Sequence, residues 1–256
     1  MNNKNENTLH RFSNRVDNYI KYRPHYPDQI IKFLTDQGFL SNQSVVADIG
    51  SGTGILSELF LKNANKVFAV EPNKEMREGA EKVFANNKNF ISVDATAETT
   101  TLPDKNIDII IAGQAFHWFD QEKSKIEFKR ILKVTGVVVL IWNDRRVDST
   151  PFLIEYENLL KKYGTDYLKV NHKNIGIEQL NDFFGNRCNV TSFNNHQHFD
   201  FEGLKGRLLS SSYVPTEEQS SFSSMMSSLK DIFDKHNSNG KVTVEYDTKV
   251  YFGKLK

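Results

Sequence analysis

The run Val45-Val46-Ala47-Asp48-Ile49-Gly50-Ser51-Gly52-Thr53-Gly54 constrains this chain more than any other stretch. An apolar, β-branched segment enters an acidic residue, and three glycines follow at alternate positions. That order predicts a buried strand, a turn whose backbone lies against a ligand, and a helix start. Glycine accepts positive φ and, lacking a Cβ, lets a flat, bulky group come close. Ile55 to Leu61 then reads as the first turns of a helix packed back on the strand. The loop reads as a cradle for an adenosine-bearing cofactor.

Spacing narrows the cofactor. The dinucleotide fingerprint G-x-G-x-x-G fails, because its third glycine would fall on Ile55 or on Ser57. No lysine stands where a phosphate-binding P-loop needs one. Asp48 would repel a diphosphate in the same turn and attract a ligand carrying an ammonium group. Three further segments follow. Lys66 to Pro72 reads as a second strand ending in Glu71, where a carboxylate can accept ribose hydroxyls; the alternative is a charge at the start of the next helix. Phe90 to Ala95 is a third short strand ending in Asp94, an acid that taken alone reads as a plain turn residue. Asn106 to Asp120 is a fourth, fully apolar strand opening into Gly113-Gln114-Ala115-Phe116-His117-Trp118-Phe119-Asp120.

Together these four segments resemble class I S-adenosylmethionine-dependent methyltransferases of the small-molecule, type 11-like group, over roughly residues 10–145. The resemblance implies S-adenosyl-L-methionine as cofactor, with its ammonium at Asp48. Gly50, Ser51, Gly52 and Gly54 would surround it, and Glu71 with Pro72 would meet the ribose. Asp94 and the Ala95 amide would meet the adenine, Gln114 would lie near the transferred methyl, and Tyr19 would belong to an N-terminal segment folded over the site. The implied fold is α/β: a Rossmann-like, doubly wound, seven-stranded sheet, mostly parallel with an antiparallel C-terminal strand, plus a helical lid.

Methyl transfer from a sulfonium is an in-line displacement with a neutral leaving group, so alignment and desolvation do most of the work. A base is needed only for an acceptor that is protonated at working pH. His117 is the candidate base by position, with packing in an aromatic turn as its alternative, and Tyr22 is a second catalytic candidate. Arg23, Trp118, Arg145 and Arg146 are expected to bind the acceptor. The arginines favour an anionic acid, since guanidinium matches carboxylate in a bidentate manner; solvated surface charge is their alternative reading. A nucleic-acid acceptor and a non-catalytic S-adenosylmethionine-binding module both stay open.

Bulk properties agree with a small-molecule partner. The 256 residues carry a formal net charge of +1, which points to no polyanion. No apolar stretch of about 18 residues exists, so no membrane partner is expected. One cysteine, Cys188, allows no intrachain disulfide and suits a reducing, cytoplasmic setting. His196 and His198 alone make no metal site, and none is expected. Residues 1–8 read as a flexible tail and 9–256 as a single methyltransferase domain. Its cofactor-binding core covers about 28–143, with lid insertions at about 145–185 and 203–236. Helices are expected at 9–22, 29–37, 126–132, 151–163, 176–184, 205–212 and 216–235, and late strands at 190–201 and 241–252. Asp28 is the expected cap of the helix that Gly38 ends. Oligomeric state is unreadable, with monomer as the default.

Overall fold

The computed structural model describes residues 16–165, 167, 176–185 and 188–256. The sequence-expected tail, and the start of the helix expected at 9–22, lie outside them. The described part of that helix is α1 (Val16–Tyr22).

The remaining elements alternate. They are α2 (Gln29–Asp36), β1 (Val45–Ile49), α3 (Ile55–Lys62), β2 (Lys66–Val70), α4 (Lys74–Val83), β3 (Phe90–Val93) and β4 (Ile107–Gly113). Then come a 3-10 turn (Phe116–Trp118), α5 (Gln121–Ile131), β5 (Leu132–Arg145), α6 (Pro151–Tyr163) and α7 (Ile177–Phe184). β6 (Asn189–Phe199), α8 (Phe201–Leu209), α9 (Phe222–His236) and β7 (Val242–Gly253) complete the chain. The sheet order is β3-β2-β1-β4-β5-β7-β6, with β1 to β5 parallel. β7 runs antiparallel between β5 and β6.

The period-2 alternation of side chains divides the core. Ala47, Ile49, Ile110, Val138 and Leu140 face Phe128 and Ile131 of α5 and Leu180 and Phe184 of α7. Val46, Ile109, Ile111, Val139 and Ile141 face Ile30 and Leu34 of α2 and Leu56 and Phe60 of α3. Both faces of the central strands are therefore covered, which is why they read as continuous apolar runs. A third cluster joins α6, α8 and α9 to Val242, Val244 and Tyr246 of β7. This helical cap sits beside the carboxyl ends of the parallel strands, because α6 follows β5 and Tyr246 pairs with Arg145.

Several expectations shift. Asp28 takes helical backbone angles and makes no side-chain cap, although Gly38 does end α2 with φ +70°. α8 begins at Phe201 rather than 205, because Asp200 caps it by accepting from the Gly203 amide at 2.8 Å. α9 begins at Phe222, so the serine run around Ser220 straddles its start. β7 is an inner strand, and the edge belongs to β6. No described helix is long and apolar enough to cross a membrane.

Candidate active site

The site is built where β1 stops. Gly50, Gly52 and Gly54 all take positive φ (+67°, +57° and +82°). A Cβ on Gly50 would stand 2.6 Å from the Ala115 Cβ, and one on Gly54 would stand 2.5 Å from the Phe84 ring. The turn between them lines a cavity of about 250 Å³ that also takes in Asp48, Thr53, Tyr26, Asn143 and residues of the cap. A second cavity, of about 210 Å³, runs from Glu71, Pro72, Asn73 and Met76 to Thr96, Ala97, Glu98, Ala115 and Phe119. Tyr19, Gly50, Gly52, Gly113, Gln114 and Trp118 line both, so the two form one bent crevice over the strand ends.

Asp48 is fully buried. Ser57 Oγ donates to its Oδ2 at 2.7 Å, and its Oδ1 has no partner among the described residues. Burial pushes the carboxyl up to about 7, with the Glu71 charge adding and the Ser57 bond opposing. Glu71 is also buried and raised by desolvation, but its oxygens accept from the Asn73 and Gly52 amides, each at 2.8 Å. Those two bonds tie the end of β2 to the glycine turn and hold the carboxylate rigid. The arrangement can take a cationic group at Asp48 and a hydroxyl-bearing group at Glu71. Gln114 sits at the bend with φ +57°, an uncommon conformation for a residue with a side chain.

The far wall comes from distant segments. Arg23 donates from Nη2 to the Ser210 carbonyl at 2.8 Å and lies 4.8 Å over the Tyr19 ring. Asn143, Asn195 and Gln197 donate to the carbonyls of Pro24, His25 and Tyr22, fastening this segment across the sheet. Arg145 pairs with Glu157, which also accepts from Tyr167 at 2.7 Å. Burial opposes ionisation of Glu157, but the Tyr167 and Arg145 bonds hold its carboxyl below the usual range. Arg207 reaches in from α8, with Nε donating to Tyr246 at 3.2 Å and Nη1 to Ser211 at 3.3 Å.

Of the residues expected from sequence, Asp48, Gly50, Ser51, Gly52, Glu71, Pro72, Gln114, Tyr19, His117, Trp118, Arg23 and Arg145 line the crevice. Gly54 stands behind it, where an added Cβ would press on the Phe84 ring. Trp118 is 36% exposed, so it walls the crevice rather than filling the core. Asp94 and Ala95 are not part of either lining. The Asp94 side chain is 68% exposed and accepts from Arg77 at 2.8 Å, while the turn after it presents Thr96 to Glu98. Tyr22, expected to be catalytic, is outside both linings and packs on Gly206, where an added Cβ would come within 2.0 Å of its ring. Arg146 is also outside both linings. Successive strand residues face opposite sides, so with Arg145 turned inward, Arg146 turns away and bonds Asp247 and Asn194.

Thr53, Glu157, Tyr167, Tyr213 and Arg207 were not singled out by sequence reasoning, yet all line the larger cavity. For Arg207 a signal existed. Leu204, Arg207, Leu208 and Ser211 fall at helical spacing on one face, which places a charge among buried positions.

Comparison with known proteins gives a family and a fold. Residues 47–140 match the family described as a methyltransferase domain. An uncharacterized methyltransferase-like protein of Schizosaccharomyces pombe is 30% identical over 162 residues, covering 62% of this chain and 60% of that one. The chain thus spans about three fifths of the length of the first curated relatives it matches. A solved structure from Anaeromyxobacter dehalogenans, described provisionally as a type II methyltransferase, aligns with a TM-score of 0.63 at 20% identity, over 91% of this chain and 98% of that one. A geranyl diphosphate methyltransferase solved with its substrate and sinefungin aligns with a TM-score of 0.53 at 13% identity, over 98% and 99% of the two chains. Both structural likenesses are of fold.

Proposed function

We propose that this chain, which belongs to the class I S-adenosylmethionine-dependent methyltransferases through its residues 47–140, moves a methyl group from S-adenosylmethionine to a small-molecule acceptor beneath the helical cap. One observation carries the reading: the Oδ1 of Asp48 is buried at the glycine turn without a partner among the described residues. An α-ammonium completes that carboxylate, whereas a phosphate would meet like charge.

In this reading Gly50, Ser51 and Gly52 lie along the methionine portion of the cofactor, and Glu71 takes the ribose hydroxyls. Pro72, Met76 and the Thr96–Glu98 turn frame the adenine, with Asp94 and Ala95 behind them at the rim. Tyr19 and Gln114 stand at the bend between the cavities. The bound cofactor supplies an electrophilic methyl whose departure needs no proton. The chain's own task is to align the acceptor and exclude water, which the cap and Trp118 do. His117 holds the proton of a hydroxyl or amine acceptor; an acid acceptor needs no base. A small anionic acid is the acceptor we favour, because arginines dominate the cap side of the cavity. We treat residues 9–256 as one domain, with the cap helices as its lid.

Calorimetry with S-adenosylhomocysteine tests the reading. Micromolar binding to the native chain is expected, and Asp48→Ala is expected to abolish it while leaving the far-ultraviolet circular dichroism unchanged. No heat at high micromolar ligand would end the reading. Binding without turnover of labelled methyl on a metabolite pool would leave a non-catalytic binding module.

A further inference from the structure

We propose that Arg207 anchors the acceptor through its negative group, and that the acceptor is a small monocarboxylate; this rests on the methyl-transfer reading above. The charge inventory of the larger cavity leads there. Three arginines line it, and Arg145 is matched by Glu157. Arg23 and Arg207 form no salt bridge among the described residues: their recorded partners are the Ser210 carbonyl, the Tyr246 hydroxyl and the Ser211 hydroxyl. Arg207 is buried, and its charge disfavours that of Arg23 after burial itself; against its own burial, Arg207 is held charged by the phenol oxygens of Tyr246, Tyr156 and Tyr213 and not by a carboxylate. Two unmatched guanidiniums in one closed wall are unfavourable until anions complete them.

The methionine end of the cofactor brings one carboxylate. Arg23, stacked on Tyr19, which lines both cavities, would take it. One cation, Arg207, is then left for the acceptor. With the uncharged thioether product in place, a single negative charge neutralises it, while a phosphate dianion leaves an excess charge. The guanidinium is also held in orientation, as a binding group should be. Its Nε is bonded to Tyr246, whose hydroxyl donates to Gln197 at 2.9 Å, and Gln197 in turn holds the Tyr22 carbonyl at 3.2 Å. Its Nη2 donates to nothing among the described residues. The planar fork is therefore fixed on one edge and available on the other, which suits a carboxylate.

The test uses the full chain saturated with S-adenosylhomocysteine and five probes: benzoate, hexanoate, their amides, and phenyl phosphate. At least one acid is expected to bind, with its amide and phenyl phosphate each weaker by about tenfold or more. Arg207→Met is expected to weaken the acid by about tenfold while changing S-adenosylhomocysteine affinity less than about threefold. If circular dichroism shows that this variant does not fold, Arg207→Lys decides, since it keeps the charge and loses the fork; a loss of about fivefold or more is expected. Equal acid binding in the native chain and the folded variant overturns the proposal. So does a chain that binds S-adenosylhomocysteine but none of the acids, a result that leaves methyl transfer standing. Absence of S-adenosylhomocysteine binding fails the underlying reading instead.

Discussion

Ser57 Oγ donates a 2.7 Å hydrogen bond to Asp48 Oδ2, from the helix after the glycine turn back to the strand before it. The bond closes the strand-turn-helix unit around a carboxylate with no exposed surface. It satisfies one oxygen and leaves the other for a ligand. A folded chain that keeps such a group has stability set against binding, and pH reads the balance.

The folded Asp48 carboxyl is raised from 3.8 to about 7, so the folded state holds a proton that the unfolded chain releases. Its contribution to stability is therefore greatest below about pH 4 and falls as pH rises to about 7, by at most about 4 kcal/mol. Asp48→Asn should remove that slope. We expect the variant without ligand to melt higher than the native chain at pH 8 and to exceed it by much less at pH 5, the two converging only near pH 4. S-adenosylhomocysteine should bind the native chain more tightly as pH rises through 7. Thermal denaturation at the two pH values decides, and a lower melting temperature for the variant at pH 8 would contradict the assignment.

Gly50→Ala should cost about 2–4 kcal/mol, because it adds a left-handed backbone penalty to an overpacking clash. The obstacle is the Ala115 Cβ at 2.6 Å, which has no rotamer to escape into. Gly54→Ala meets a ring edge of Phe84, which can pivot, so its loss should be smaller. Urea unfolding of the two variants side by side measures the difference; a reversed order would show that Phe84 is the less yielding neighbour.

Gly206→Ala should act on the site from the outside. Its Cβ would fall 2.0 Å from the Tyr22 ring, so α1 must move off α8. Because Tyr19 on α1 lines both cavities, S-adenosylhomocysteine affinity should fall. Global stability should drop only by about 1–3 kcal/mol, the usual range for overpacking. Tryptic cleavage after Lys21 should accelerate in the variant. An unchanged cleavage rate together with unchanged affinity would mean that the helix pair absorbs the methyl in place.

Glu157→Gln removes the carboxylate partner of Arg145, whose side chain is only 10% exposed. Leaving a buried cation unpaired should cost about 3 kcal/mol. The paired change Arg145→Met with Glu157→Leu should recover most of it, since the apolar pair needs no desolvation. The double-mutant cycle, read by chemical denaturation, tests both statements.

The candidate cofactor side was largely legible because its information is local. Asp48, the three glycines and the helix beginning at Ile55 lie in one short span, and a turn of that kind is set by backbone conformation that only certain residues adopt. Glu71 stands at the end of β2 for the same local reason, and the pairing of β1 with β2 brings it to the Gly52 amide. Asp94 was less readable: β3 stops at Val93, and the turn that follows presents residues two to four positions later.

The cap side depended on distance in the chain. Nothing local says that Arg145 faces inward and Arg146 outward; strand pairing with β7 settles that parity. Tyr22 and Arg23 are neighbours, yet one packs on Gly206 and the other lines the cavity, because α8 comes across at that point. By itself, then, the amino-acid order determined the alternating α/β elements, the apolar central strands and the acidic glycine turn, since each follows from propensity and periodicity within a few residues. Only the tertiary structure decided which arginines meet one another beneath the cap. Charges at positions 23 and 207 interact through space, as do those at 145 and 157, and their separation along the chain carries no record of it.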